Sequence, residues 1–201
     1  LGGGGAGGLR GGGLGGGRFG GGWGQFWRRR RLGALVMSLA RAWRHTLAAL
    51  RPANRLLEVD AMDRIEAEVV RAETMHAGEI RVVIETTLTA GQLWQGLAPR
   101  ARALQVFSAL RIWDTVANNG VLIYLLLADR SVEIIADRAI AALVPETDWL
   151  ALCRAIEQRC RDGDIAEACC QAVRGVAVAM ARHFPCAGGD DDELPNQPVL
   201  L

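Results

Sequence analysis

The chain contains no lysine: all 23 of its basic residues are arginine. Together with its high alanine content, this reads as compositional bias and excludes no mechanism. Other absences say more. No apolar run approaches the roughly 20 residues that span a bilayer, so the chain is not expected to be an integral membrane protein on its own. The five cysteines (153, 160, 169, 170 and 186) form an odd set without a Cys-x-x-Cys pair. That spacing argues against a disulfide framework and against a thiolate zinc site. It leaves free thiols in a reducing compartment, four of them in predicted helices. The three histidines, His45, His76 and His183, are too scattered to form a metal-ligand pattern.

Acidic residues are missing from the first 55 positions, which carry ten arginines, whereas the rest of the chain carries 13 arginines and 22 acids. The net charge of +1 hides this division. It points to an anionic partner for the amino-terminal part. Residues 1–24 hold 16 of the 25 glycines, and residues 1–31 read as a disordered Gly/Arg-rich tail, because such sequence buries too little apolar surface to offset its ordering entropy. Gly, Arg and aromatics can bind single-stranded RNA, but a single Arg-Gly-Gly makes nucleic acid an unexpected partner. Met37-Ser38-Leu39-Ala40 resembles a coding start, which would make residues 1–36 a fused or misread upstream segment.

Residues 32–52 read as a basic amphipathic helix. Leu32, Leu35, Val36, Leu39, Trp43, Leu47 and Leu50 share one face, Arg41, Arg44, His45 and Arg51 lie opposite, and Pro52 ends the pattern. Two placements stay open: the apolar face of Leu39, Trp43, Leu47 and Leu50 on anionic lipid or a partner, or the helix packed on its own domain with a solvated Arg face. A signal peptide would need its basic region at the front, and here the Gly tail precedes it.

From Asp60 a folded domain is expected over residues 58–184, followed by an acidic, disordered tail over 185–201. Asp60 can cap a helix whose seam is Met62, Ile65, Val69, Ala72 and His76, stopped at Gly78. Residues 79–88 read as a strand with Ile80, Val82 and Ile84 on one face. Pro99 suits the first turn of a helix with Ala103, Val106, Phe107 and Leu110 inward. A loop over 113–120 precedes an almost wholly apolar strand at 121–127. The chain turns at 128–131 and returns as a strand over 132–136. Thr147 can cap a helix with Leu150, Cys153, Ile156 and Cys160 in its seam, and Asp162-Gly163-Asp164 separates it from a last helix that Pro185 stops. The fold class is α/β: a small mixed sheet sandwiched between helices.

The stretch from Phe107 through Trp113, Asp114, Asn118-Asn119-Gly120 and the following apolar strand, then Arg130-Ser131-Val132 and Asp137-Arg138, resembles the TPM domain. In that family a Trp ends a helix, a polar loop closes in Asn-Gly, and an Arg introduces the next strand. Gly78-Glu79-Ile80-Arg81 and Arg161-Asp162-Gly163-Asp164 are similar to its opening strand and late break. Ala139 stands where many members have Gly, and Glu58, Asp60 and Asp63 only loosely match the Asp-rich opening of exported members. The resemblance is to short bacterial TPM proteins that accompany a longer, exported one. It implies a role in membrane-protein maintenance, a second TPM protein as a partner, and for some relatives calcium binding or phosphate-ester hydrolysis.

Asp114, Asn118, Asn119 and Asp137 offer hard oxygen ligands for calcium or another divalent cation, although six or more oxygens complete a shell. A turn stabilised by the same side chains is the structural alternative. Arg111, Arg130 and Arg138 are candidate contacts for an anion or partner, and Glu79 and Asp137 are possible acid/base groups. The one Cys-x5-Arg spacing, Cys153 to Arg159, lies in a predicted helix and makes no phosphate-binding loop, and no paired-Asp nucleophile motif is present. The expectation is therefore a non-enzymatic interaction domain, cytoplasmic and peripheral at the inner membrane face, bound to an anionic surface or a membrane protein. A metal-dependent phosphatase acting on phosphate monoesters is the competing class.

Overall fold

The computed structural model describes residues 39–50, 60–186 and 193–201. The Gly-rich tail, the front of the basic helix, Pro52 and residues 187–192 of the acidic tail fall outside them. The elements run α1 (Leu39–Ala49), α2 (Ala61–Glu73), β1 (Ile80–Glu85), α3 (Ala90–Trp94), α4 (Pro99–Ala109) and β2 (Val121–Leu126). A 3-10 turn (Leu127–Asp129), β3 (Ser131–Ala136), α5 (Arg138–Ala141), α6 (Glu146–Asp162), α7 (Ile165–Ala181) and β4 (Val199–Leu200) follow.

The sheet has four strands in the order β3-β2-β1-β4. β1 pairs in parallel with β2 and β4, and β2 pairs antiparallel with β3, so the sheet is mixed as expected. Alternation divides its side chains between two helical layers. Ile80, Val82 and Ile84 of β1 join Val121, Ile123, Leu125, Val132 and Ile134 in a core shared with α2, α6 and α7. Val83, Leu122, Tyr124, Leu126 and Ile135 face the other way, onto Leu93, Ala103 and Val106 of α3 and α4. Both faces of β2 are covered, which is why every residue from Val121 to Leu126 is buried.

Several local expectations need correction. The acidic tail is not disordered over its described part: Val199 and Leu200 pair with Val83 and Ile84, and Leu201 exchanges backbone hydrogen bonds with Ile84 and Thr86. This added strand satisfies the carboxyl half of the outer edge of β1, where the amides would otherwise be unpaired. Helix α6 starts at Glu146, so Thr147 lies inside it rather than capping it. Asp60 precedes α2 without a side-chain cap bond. Thr89 and Gln92 form a full capping box on the short helix α3, a local signal that was passed over in the sequence. Gly163 ends α6 with φ +95°, as the Asp-Gly-Asp break required.

All five cysteines are free, with Cys153, Cys169 and Cys170 buried and Cys186 exposed. Burial pushes the thiols of Cys153 and Cys160 up to about 11, which makes them weak nucleophiles. Among the described residues no helix is long and apolar enough to cross a membrane.

Candidate functional site

Polar chemistry collects at both ends of the parallel strands. At the amino end lies the loop between α4 and β2. Gly120 is forced there by space, because a Cβ would sit 2.0 Å from the Ile112 carbonyl oxygen. Asn118 holds left-handed backbone at φ +53°, and the Thr115 hydroxyl accepts the Asn119 N–H at 3.1 Å. The loop is tied to the end of β3: the Asp137 N–H donates to Gly120 O at 2.9 Å and the Ala139 N–H to Asn118 O at 3.2 Å. Asp137 also caps α5, accepting from the Arg138 N–H at 2.7 Å.

The structure thus joins Asn118, Asn119 and Asp137, but the arginines claim part of their chemistry. The Arg138 guanidinium donates to Asn118 Oδ1, and Arg111 pairs with Asp114, whose side chain is 46% exposed. Asn119 Nδ2 donates to Ala77 O. Two oxygens remain: Asn119 Oδ1 and Asp137 Oδ2 are buried without a hydrogen-bond partner. A six-oxygen shell on these four residues would require Arg111 and Arg138 to move aside. Among the described residues no three His, Cys, Asp or Glu side chains are grouped for a metal. Glu79 is buried as well and is spent on structure, accepting from the Glu193 and Leu194 amides at 3.2 and 3.3 Å.

The three arginines do not converge. Arg111 and Arg138 border the amino-end loop, whereas Arg130 follows the 3-10 turn at the opposite end of β3. Six strand residues separate the two ends, roughly 20 Å at about 3.3 Å per residue.

At the carboxyl end, sequence reasoning missed the central cluster. Helix α1 packs on the domain through its polar face. Arg41 grips Asp129 with Nη2 at 2.7 Å and Nε at 3.0 Å, and its Nη2 also donates to Leu97 O at 2.8 Å. The His45 ring is 1% exposed. Its Nδ1 accepts the Leu88 N–H at 3.0 Å, with the Thr87 hydroxyl 2.8 Å away, and its Nε2 faces Asp129 Oδ1 at 3.2 Å without the alignment of a hydrogen bond. An Nδ1 that accepts a backbone N–H carries no proton, so the ring is neutral with its proton on Nε2. Burial lowers the His45 imidazole below its ordinary value, and the Asp129 charge only partly offsets this. Burial alone would raise the Asp129 carboxyl, but hydrogen bonds and charge from Arg41, joined by His45, outweigh it and hold the group low.

The inward turn of Arg41 and His45 sends the apolar stripe outward: Trp43 is 64% exposed, Leu47 44% and Leu50 75%. Neither placement considered from the sequence had both features, since the helix is packed on its own domain and yet presents its hydrophobic face. Arg41 and His45, four apart on one helix face, were the available signal, because such a pair can share one buried acid. A second cluster also went unread: Glu85 on β1 accepts from Arg102 at 2.8 Å and from the Tyr124 hydroxyl at 2.7 Å. Burial and the Glu85 charge push the Tyr124 phenol upward, so this trio is a satisfied structural network.

The family model for the TPM domain matches residues 53–179. The solved structure of BA42 from the psychrophilic bacterium Bizionia argentinensis is similar at 29% identity and a TM-score of 0.64, over 72% of this chain and 95% of that one. No functionally curated protein matches the chain.

Proposed function

The chain belongs to the TPM domain family, and on that premise we propose that it acts as a non-enzymatic interaction domain at an anionic membrane surface, serving membrane-associated protein maintenance. The observation that carries this reading is the orientation of α1. A helix latched by a buried His–Asp–Arg cluster holds Trp43, Leu47 and Leu50 outward, with Arg44 at 55% side-chain exposure beside them. Apolar anchors next to cationic groups suit the headgroup boundary of a bilayer, and the ten arginines before position 56 add attraction to anionic lipid. The surface lies on the cytoplasmic side in this reading.

The test is sedimentation with vesicles. Binding should favour anionic over neutral lipid and weaken with salt. Changing Trp43 and Leu47 together to Ser should weaken it at least about tenfold, since burying each side chain contributes about 1.5–3 kcal/mol, while the melting temperature stays constant. Binding that ignores lipid charge would direct attention to a membrane protein or a second TPM protein instead.

A second reading rests on the two unpartnered oxygens, Asn119 Oδ1 and Asp137 Oδ2. They could hold a divalent cation such as calcium, joined by Asp114 and Asn118 once their arginines let go. The cation would then activate water toward a phosphate monoester, with Arg111 and Arg138 available to the anion. Calcium should raise the melting temperature, by about 2.7 kcal/mol of stability at one hundred times its dissociation constant, and Asp114→Ala should abolish that gain. No calcium effect and no hydrolysis would remove this reading and leave the loop a structural turn.

A further inference from the structure

Beneath the outward face of α1 lies a half-open cavity of about 340 Å3. It sits outside the carboxyl end of β2, between α1, the start of β3 and the α6–α7 junction. Open α/β sheets place ligands in crevices at the carboxyl ends of their parallel strands. Its size falls at the small end of the roughly 300–1,000 Å3 of ordinary small-molecule sites. The walls are mostly aliphatic, with Leu47 from α1, Leu127 and Val132 from the β2–β3 turn, and Ile165 from α7. Such a lining holds water poorly.

The charged lining is of one sign. Arg44 and Arg130 border the cavity, and among the described residues no acidic side chain lines it. Arg44 touches Asp129 only at 3.5 Å, because Arg41 and His45 already occupy that carboxylate. Arg130 makes no ion pair among the described residues and holds left-handed backbone at φ +52°.

We infer that this cavity binds a single-chain amphiphile, its alkyl chain among Leu47, Leu127, Val132 and Ile165 and its anionic head between Arg44 and Arg130. The site shares Leu47 with the outward face of α1 but takes one monomeric molecule, whether or not Trp43 meets a membrane.

The experiment is calorimetric titration of the full chain, without vesicles, with hexyl, octyl, decyl and dodecyl phosphate below their aggregation concentrations, and with the matching alcohols. Affinity should rise about fourfold per methylene, the equivalent of about 0.8 kcal/mol, and then level off when the cavity is full. The phosphate should bind at least about tenfold more tightly than the alcohol of equal length, and Arg130→Ala should erase most of that preference. Ala48→Phe, placed in the cavity wall, should abolish binding without lowering the melting temperature. Bound decyl phosphate should also slow alkylation of Cys160, which lines the same cavity, and this readout needs no variant to fold. Failure to bind, equal affinity for phosphate and alcohol, or affinity that climbs without a plateau would each overturn the site. None of these outcomes depends on the vesicle experiment.

Discussion

The two ends of the sheet are built from similar polar residues and do opposite things with them. At the amino end, Asn118, Asn119, Gly120 and Asp137 are stitched together by backbone hydrogen bonds, and Glu79 and Glu193 fasten the carboxyl-terminal segment over the same region. At the carboxyl end, one buried carboxylate, Asp129, anchors an entire helix that is otherwise turned inside out. The first arrangement spends its polar groups on holding a turn closed. The second spends them on displaying hydrophobic surface and leaving a cavity open. Polar residues in a loop are thus a poorer guide to function here than apolar residues facing outward on a latched helix.

The sharpest way to break this contrast is to remove the anchor. Asp129→Ala leaves His45 and Arg41 without their shared partner, and loss of one member of a buried ion pair costs about 3–5 kcal/mol. Urea unfolding should show a loss of that order, or hydrogen exchange should show α1 released while β1 and β2 stay protected. An unchanged α1 would mean that the helix docks by other means.

Acid should act on the same latch with a smaller effect. Because the folded His45 sits below its ordinary value, the unfolded imidazole takes up a proton first as pH falls past about 6.5. The latch contributes fully above that pH and loses stability on the way down to the lowered folded value. Asp129 is held low, so its contribution is present above the ordinary carboxylate range and lost below it; both groups therefore favour release in acid. Protonation at Nδ1 also breaks the bond from the Leu88 amide. Exchange protection of α1 should fall between pH 7 and 5, and His45→Gln should remove that step.

At the amino end the smallest effect is expected. Asp114→Ala deletes an exposed pair with Arg111, and such surface pairs contribute about 0–1 kcal/mol. A loss of several kcal/mol in thermal unfolding would show that Asp114 holds the loop after all.

Much of the architecture was legible before any coordinates. The alternation of Ile80, Val82 and Ile84 set the faces of β1, the unbroken apolar run of β2 implied cover on both sides, and Gly163 between two aspartates marked the α6–α7 break. The resemblance to the TPM domain was carried by Trp113, Asn118-Asn119-Gly120 and Asp137-Arg138, and the family match bears it out. The misses have physical reasons. β4 is only two residues long, and its pairing with β1 depends on a distant partner that no local pattern reveals. Hydrophobic periodicity could not orient α1, because it names an apolar face without saying what covers it, and the Arg41–His45 pair was the available hint. Asp129, the residue that decides the matter, looked like an ordinary turn residue until Arg41 and His45 were placed above it.

Hydroxyl-radical footprinting of the full chain, with and without anionic vesicles, tests the inverted helix most directly, because Trp43 and His45 lie two positions apart and report on opposite faces. The expected result is fast oxidation of Trp43 and slow oxidation of His45 in the free protein, with vesicles silencing Trp43 and leaving His45 unchanged. A protected Trp43 beside a reactive His45 in the free protein, or a Trp43 indifferent to anionic lipid, would contradict it.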